Sequence, residues 1–162
     1  MENYLKYRYL TYQELELLTE DFIEFLYLRG INKFEWKLLL DYSSAEALNI
    51  LGNYSEMTFE KVMRTVNFLE YRTTNTLELI NCTDRKIISI FLELPLKSNL
   101  NFLKIDSVDK LQATTSISSK QISKRYFYSR EKDIFNLIES GYKVVDKKMF
   151  GYLDITRKSQ LN

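Results

Sequence analysis

Residues 76–94, TLELINCTDRKIISIFLEL, decide the fold. Thr76 to Cys82 and Lys86 to Leu94 are rich in Leu and Ile, and Thr83-Asp84-Arg85 between them supplies a hairpin loop. Pro95 closes the second run, because it has no N–H for a continuing ladder. An antiparallel strand pair is therefore expected in the middle of the chain. What lies before and after it has a different period.

Upstream, Thr11 and Glu14 fit a capping box that starts a helix. Leu15, Leu18, Phe22, Phe25 and Leu26 follow at helical spacing, and Gly30 ends the helix. Asn32 and Glu35 repeat the box, with Ile31 and Trp36 as staple residues, so a second helix runs to about Asp41 and forms a hairpin with the first. Ser43 and Glu46 mark a third start. Gly52-Asn53 predicts a break before Ser55 to Arg72 resumes the helical pattern through Met57, Val62, Val66 and Leu69.

Downstream, residues 96–128 carry the weakest pattern in the chain, with Ser107 to Leu111 reading as one helical turn and Ala113 to Ser118 as a strand. Ser129 caps a helix through Ser140 with Ile134, Phe135, Leu137 and Ile138 inward, and Gly141 ends it. Tyr142 to Val145 is a short strand, and Asp146 caps a last helix through Leu153. The expected class is α+β: an N-terminal helical hairpin and long broken helix, then a small antiparallel sheet with C-terminal helices. With no repeat and no Gly/Ser/Pro linker, 1–162 reads as a single domain with an acidic helical part (1–74), a basic α+β part (75–156) and a frayed polar tail (157–162).

Composition narrows the chemistry. The 162 residues include 12 Tyr and 10 Phe but only 4 Gly and 1 Pro, a chain rich in regular structure. No apolar stretch is long enough to span a bilayer and the start carries no signal-peptide pattern, so a cytoplasmic location is expected and no membrane partner. Charge is uneven: residues 1–82 carry 8 Lys+Arg against 13 Asp+Glu, and residues 83–162 carry 15 against 9. The halves can pair with each other, or the second can face an anionic partner.

There is no histidine and one cysteine, Cys82, in an apolar segment that suits buried packing. Imidazole triads, Cys-His pairs and thiolate zinc cages are excluded, and no phosphate-cradling glycine motif occurs. No catalytic, metal or cofactor residues are assigned. Glu16, Glu20 and Glu24 stack at four-residue spacing opposite the apolar stripe, where like charges repel by a few tenths of a kcal/mol per pair. A solvated face explains them with least demand; a basic partner or a cation is the alternative.

Two segments interleave basic and aromatic residues: Tyr4, Lys6, Tyr7, Arg8 and Tyr9 near the start, and Lys120, Lys124, Arg125, Tyr126, Tyr128 and Arg130 near the end. Cations that neutralise phosphates beside rings that stack on bases make a single-strand platform. The same pattern describes an edge strand with one buried and one charged face, the less demanding explanation.

The run Lys6 to Leu10, with Thr11, Glu14-Leu15, Phe22-Ile23, Phe25-Leu26 and Gly30-Ile31, resembles a family of small uncharacterised cytoplasmic proteins from Bacteroidetes, a domain of unknown function. Phe68 to Arg72, Ile134-Phe135, Leu137-Ile138-Glu139 and Gly141 continue the likeness, and residues 96–128 do not follow it. The likeness implies a bacterial cytoplasmic protein and carries over no activity. The expectation is a small non-enzymatic protein-interaction or regulatory module, using the eleven basic and aromatic residues above as its surface and another protein as its partner. A nucleic-acid- or ribosome-associated factor that binds RNA through the basic half is the first alternative. A carboxylate-based enzyme without histidine is the second.

Overall fold

The computed structural model describes residues 4–104 and 117–148. The chain divides into two compact units, Met1–Val62 and Met63–Asn162.

The first unit is helical. Helix α1 (Tyr12–Leu17) starts in the expected capping box: the Glu14 N–H donates to Thr11 Oγ1 at 3.2 Å and the Thr11 N–H to Glu14 Oε2 at 2.7 Å. The single helix expected as far as Gly30 is interrupted at Leu18, and α2 (Thr19–Tyr27) follows. The Thr19 hydroxyl donates back to the Glu16 carbonyl at 2.8 Å, a local bond that bends helices. Phe22, Phe25 and Leu26 are buried as the stripe requires, while Leu15 and Leu18 are half-buried. Gly30, at φ +72°, closes α2 in a Schellman turn with Ile31 N–H on the Leu26 carbonyl and its own N–H on Tyr27.

Asn32 caps α3 (Lys33–Tyr42), its Oδ1 accepting from the Phe34 and Glu35 amides while Glu35 Oε2 takes the Asn32 N–H at 2.7 Å. Helix α4 (Ser44–Thr65) runs unbroken through Gly52, against the expected break. Gly52 is buried instead because the chain crosses it: a Cβ there would stand 3.1 Å from Leu5 Cδ2 and 3.3 Å from Tyr9 Cε1. Around Tyr54 of α4 pack Phe22 and Phe25, with ring centroids at 4.8 and 4.9 Å, and Trp36 meets Phe22 edge-on at 5.3 Å.

The second unit holds a five-stranded antiparallel sheet in the order β4-β3-β2-β1-β5. Its strands are β1 (Phe68–Arg72), β2 (Thr76–Cys82), β3 (Lys86–Glu93), β4 (Ser118–Arg125) and β5 (Lys143–Val144). The expected hairpin of β2 and β3 is present, with Cys82 opposite Ile87 and Leu77 opposite Leu92. Helix continued to Arg72 was expected; α4 ends at Thr65, and Phe68–Arg72 is a strand laddered to β2 through a Thr73–Thr76 turn in which the Thr76 N–H bonds Thr73 Oγ1 at 2.9 Å.

On one face Leu77, Leu79, Ile90, Leu92 and Leu94 enclose Phe102 from a short 3₁₀ turn (Phe102–Lys104). Beside them, Arg72 forks onto Glu70 (2.9 and 2.8 Å) and also donates to the Phe102 carbonyl. On the other face Leu69, Ile80, Cys82 and Ile87 are buried, as are Ile134 and Phe135 of α5 (Arg130–Glu139). Ser129 caps α5 by accepting from the Lys132 N–H, and Gly141, at φ +105°, ends it in a second Schellman turn. The Lys148 N–H bonds Asp146 Oδ1, but most of the last expected helix, with the expected elements at 107–111 and most of 113–118 and the tail, lies outside the described residues.

Candidate interaction surfaces

The first unit holds an open cleft of about 640 Å³ between α1–α2 and α3. Tyr12, Leu15, Phe22, Ile23, Leu26 and Tyr27 line one wall, and Ile31, Lys33 and Trp36 the other. The local sequence builds it twice over. The Schellman turn brings Ile31 against Leu26, and the Asn32 box points Trp36 back at Phe22. Its mouth is apolar and wet: Tyr27 is 76% exposed and Ile23 59%. Helix α3, described throughout, buries none of its residues, and Phe34 (68% exposed), Leu40 and Tyr42 are exposed at positions spread round it. Contiguous apolar surface rimmed by polar groups marks an interaction site.

Carboxylates flank that mouth. Glu16 belongs to the lining, while Glu20 and Glu24 are exposed and sit one helical ridge from Ile23 and Tyr27. The opposite wall presents Lys33.

The basic and aromatic residues fall into three groups. In the first, the N-terminal segment is spent inside its own unit. Tyr7 is only 7% exposed; its N–H donates to Glu56 Oε1 at 2.8 Å and its hydroxyl to Glu60 Oε2 at 2.7 Å. Burial, with that bond to Glu60, pushes the phenol up to about 12. Lys6 reaches the same Glu60 oxygen at 2.6 Å, and although burial opposes it the bonds to Glu60 and Tyr7 raise its pKa. Arg8 forks onto Glu14 (2.7 and 2.9 Å) and lies over the Phe59 ring, and this fork holds the Glu14 carboxyl down at about 2. Tyr9 flanks Gly52 with its outer edge exposed, and Tyr4 is open to solvent.

The second group is outward. Lys120, Lys124 and Arg125 are exposed on edge strand β4, which buries none of its residues rather than the one face expected of it. Its composition explains this, since Ile122 is the sole apolar side chain among SSKQISKR. Tyr128 is 69% exposed, and its neighbour Phe127, which belongs to the basic-aromatic segment but not to the eleven residues expected as its surface, is 83% exposed.

The third group is structural. Tyr126 is half-buried, its hydroxyl donates to the Thr83 carbonyl at 2.6 Å, and burial raises its pKa. Arg130, expected on the surface, points inward: it donates to the carbonyls of Met63 (3.1 Å), Val66 (2.6 Å) and Cys82 (3.1 Å). The Val66 carbonyl lies just past the end of α4, and the Met63 carbonyl also accepts the Val66 N–H at 3.3 Å. Cys82 beside it is buried, which pushes its thiol up to about 11 against the pull of Arg130.

The cleft escaped the sequence. Its one legible signal was α3 itself, where Phe34, Trp36, Leu38-Leu39-Leu40 and Tyr42 go all round the helix, more apolar surface than one hairpin covers. Glu16, Glu20 and Glu24 are solvated as expected, although the break at Leu18 places Glu16 on a separate helix. Among the described residues no group of three or more His, Cys, Asp or Glu could hold a metal ion, and no helix is long and apolar enough to cross a membrane.

No curated protein and no solved structure matches the chain. One family model does, over residues 5–158, and it takes in residues 96–128, which the likeness read from the sequence left out: the chain belongs to the family of unknown function DUF6495.

Proposed function

We propose that the protein is a non-enzymatic interaction module whose first unit docks an amphipathic helix of a partner protein in the cleft between α1–α2 and α3. The single observation that carries this is the open apolar cleft of about 640 Å³ beside a helix that buries none of its own residues. A helix laid in such a groove inserts side chains at i, i+3/i+4 and i+7, and ring-lined walls such as Tyr27 and Trp36 suit that insertion. Glu16 in the lining, with the exposed Glu20 and Glu24 on the neighbouring ridge of α2, favours Lys or Arg on that flank of the incoming helix.

Affinity purification from the source cells, with and without nuclease, tests the reading. The wild-type chain retains a nuclease-resistant protein partner that Ile23→Glu loses. Retention only through nucleic acid, or undiminished by Ile23→Glu, contradicts it.

A further inference from the structure

Phe127 and Tyr128 form an exposed knuckle between β4 and α5. Their rings meet edge to face at 85° with centroids 4.6 Å apart. The turn that carries them is fixed from below: Asp133 accepts the Phe127 N–H at 2.5 Å and the Tyr128 N–H at 3.3 Å, and Ser129 caps the helix that follows. Two large rings are thus held in water by a pre-formed turn, with Phe127 83% exposed.

Two cations stand beside it. Lys124 and Arg125 line a hollow of about 260 Å³ together with Phe127, Ile87, Asn136 and Leu137. Lys120 stands four residues up the same strand, about 13 Å from Lys124 along β4, so the two ammonium groups would serve different phosphates. Asp133 also borders the hollow, and both its oxygens are engaged by backbone amides. Glu131 lies within reach of Arg130 on the first turn of α5.

We propose that this knuckle binds single-stranded nucleic acid, with bases stacked on Phe127 and Tyr128 and the backbone tracking Arg125, Lys124 and Lys120. Every base has a π-face, and cations next to stacking rings are the two parts such a platform needs. An acidic peptide would satisfy the cations and leave both rings wet, which is why the nucleic acid fits better. The site lies wholly in the second unit and is independent of the helix-docking cleft.

Fluorescence anisotropy of fluorescein-labelled decauridylate with the full chain is the test. Binding is expected to weaken about 20-fold for a four-fold rise in salt, the slope for three neutralised single-strand phosphates. Phe127→Ala with Tyr128→Ala lowers affinity about ten-fold or more at fixed salt, without moving the thermal melt, since both rings are exposed. Lys124→Glu with Arg125→Glu abolishes binding. Absence of binding at low salt, affinity unchanged by loss of both rings, or displacement of the RNA by oligoglutamate at equal charge each overturns the proposal.

Discussion

The Tyr9 ring lies across Gly52: a Cβ at that glycine would be 3.3 Å from Tyr9 Cε1. A glycine inside α4 costs helix stability of about 1 kcal/mol relative to alanine, and the structure shows what it allows in return. The N-terminal segment can lie down on the helix, where Tyr7 bonds Glu56 and Glu60 and the Leu10 N–H bonds Ser55 Oγ at 3.0 Å.

Filling that contact is therefore costly. Gly52→Leu is expected to destabilise the chain by about 2 kcal/mol, in the range for overpacked sites, and to free the segment. Gly52→Ala, whose methyl meets the movable end of Leu5 as well as the ring, changes stability much less because the helix gains what the contact loses. Urea unfolding with hydrogen exchange at the Tyr7 amide measures both.

Arg8 and Glu14 set an acid limit. The folded pKa of Glu14 is lowered to about 2 from an ordinary 4.5, so the pair stabilises fully above the unfolded value and its contribution is lost as pH falls from about 4.5 through about 2. Both side chains are about one-third exposed, and with solvent screening the effect is about 1 kcal/mol rather than the full shift. Glu14→Gln should remove that increment at pH 7 and flatten the pH dependence of stability over this window.

Arg130 is the tie between the end of α4, the start of α5 and the end of β2. Arg130→Met should cost about 3 kcal/mol, because several buried carbonyls lose charged donors. Arg130→Lys should recover little, since one ammonium cannot reproduce the planar fork. Thermal melts of the three chains compare them.

The fold was legible where its causes are local. Thr11 with Glu14, Asn32 with Glu35, Ser129, and the two glycines at positive φ all act within a few residues, and the strand pair around Asp84-Arg85 carries its own turn. Leu69 continued the helical spacing of Val66, so β1 looked like the end of α4; it is a strand because β2 pairs with it. Gly52 looked like a break because its partners, Leu5 and Tyr9, are remote in sequence. Tyr7 and Arg130 looked like surface residues for the same reason. The cleft was illegible because an apolar stripe has the same spacing whether or not anything covers it.

The exposed residues of the cleft mouth should be dispensable for folding. Ile23→Glu and Tyr27→Glu replace exposed side chains, so each should change stability by no more than about 0.5 kcal/mol, by urea unfolding, while removing partner capture. A large loss of stability would make them core residues instead.

Trp36 is the single tryptophan of the chain and forms part of the cleft wall, so its emission reports the cleft directly. Titration with a helical peptide carrying leucines at i, i+3/i+4 and i+7 and lysines along one flank should shift that emission to the blue in a saturable way, and Ile23→Glu should abolish the shift. Emission that stays unchanged as the peptide is added, or a shift that Ile23→Glu leaves intact, would contradict helix docking in this cleft.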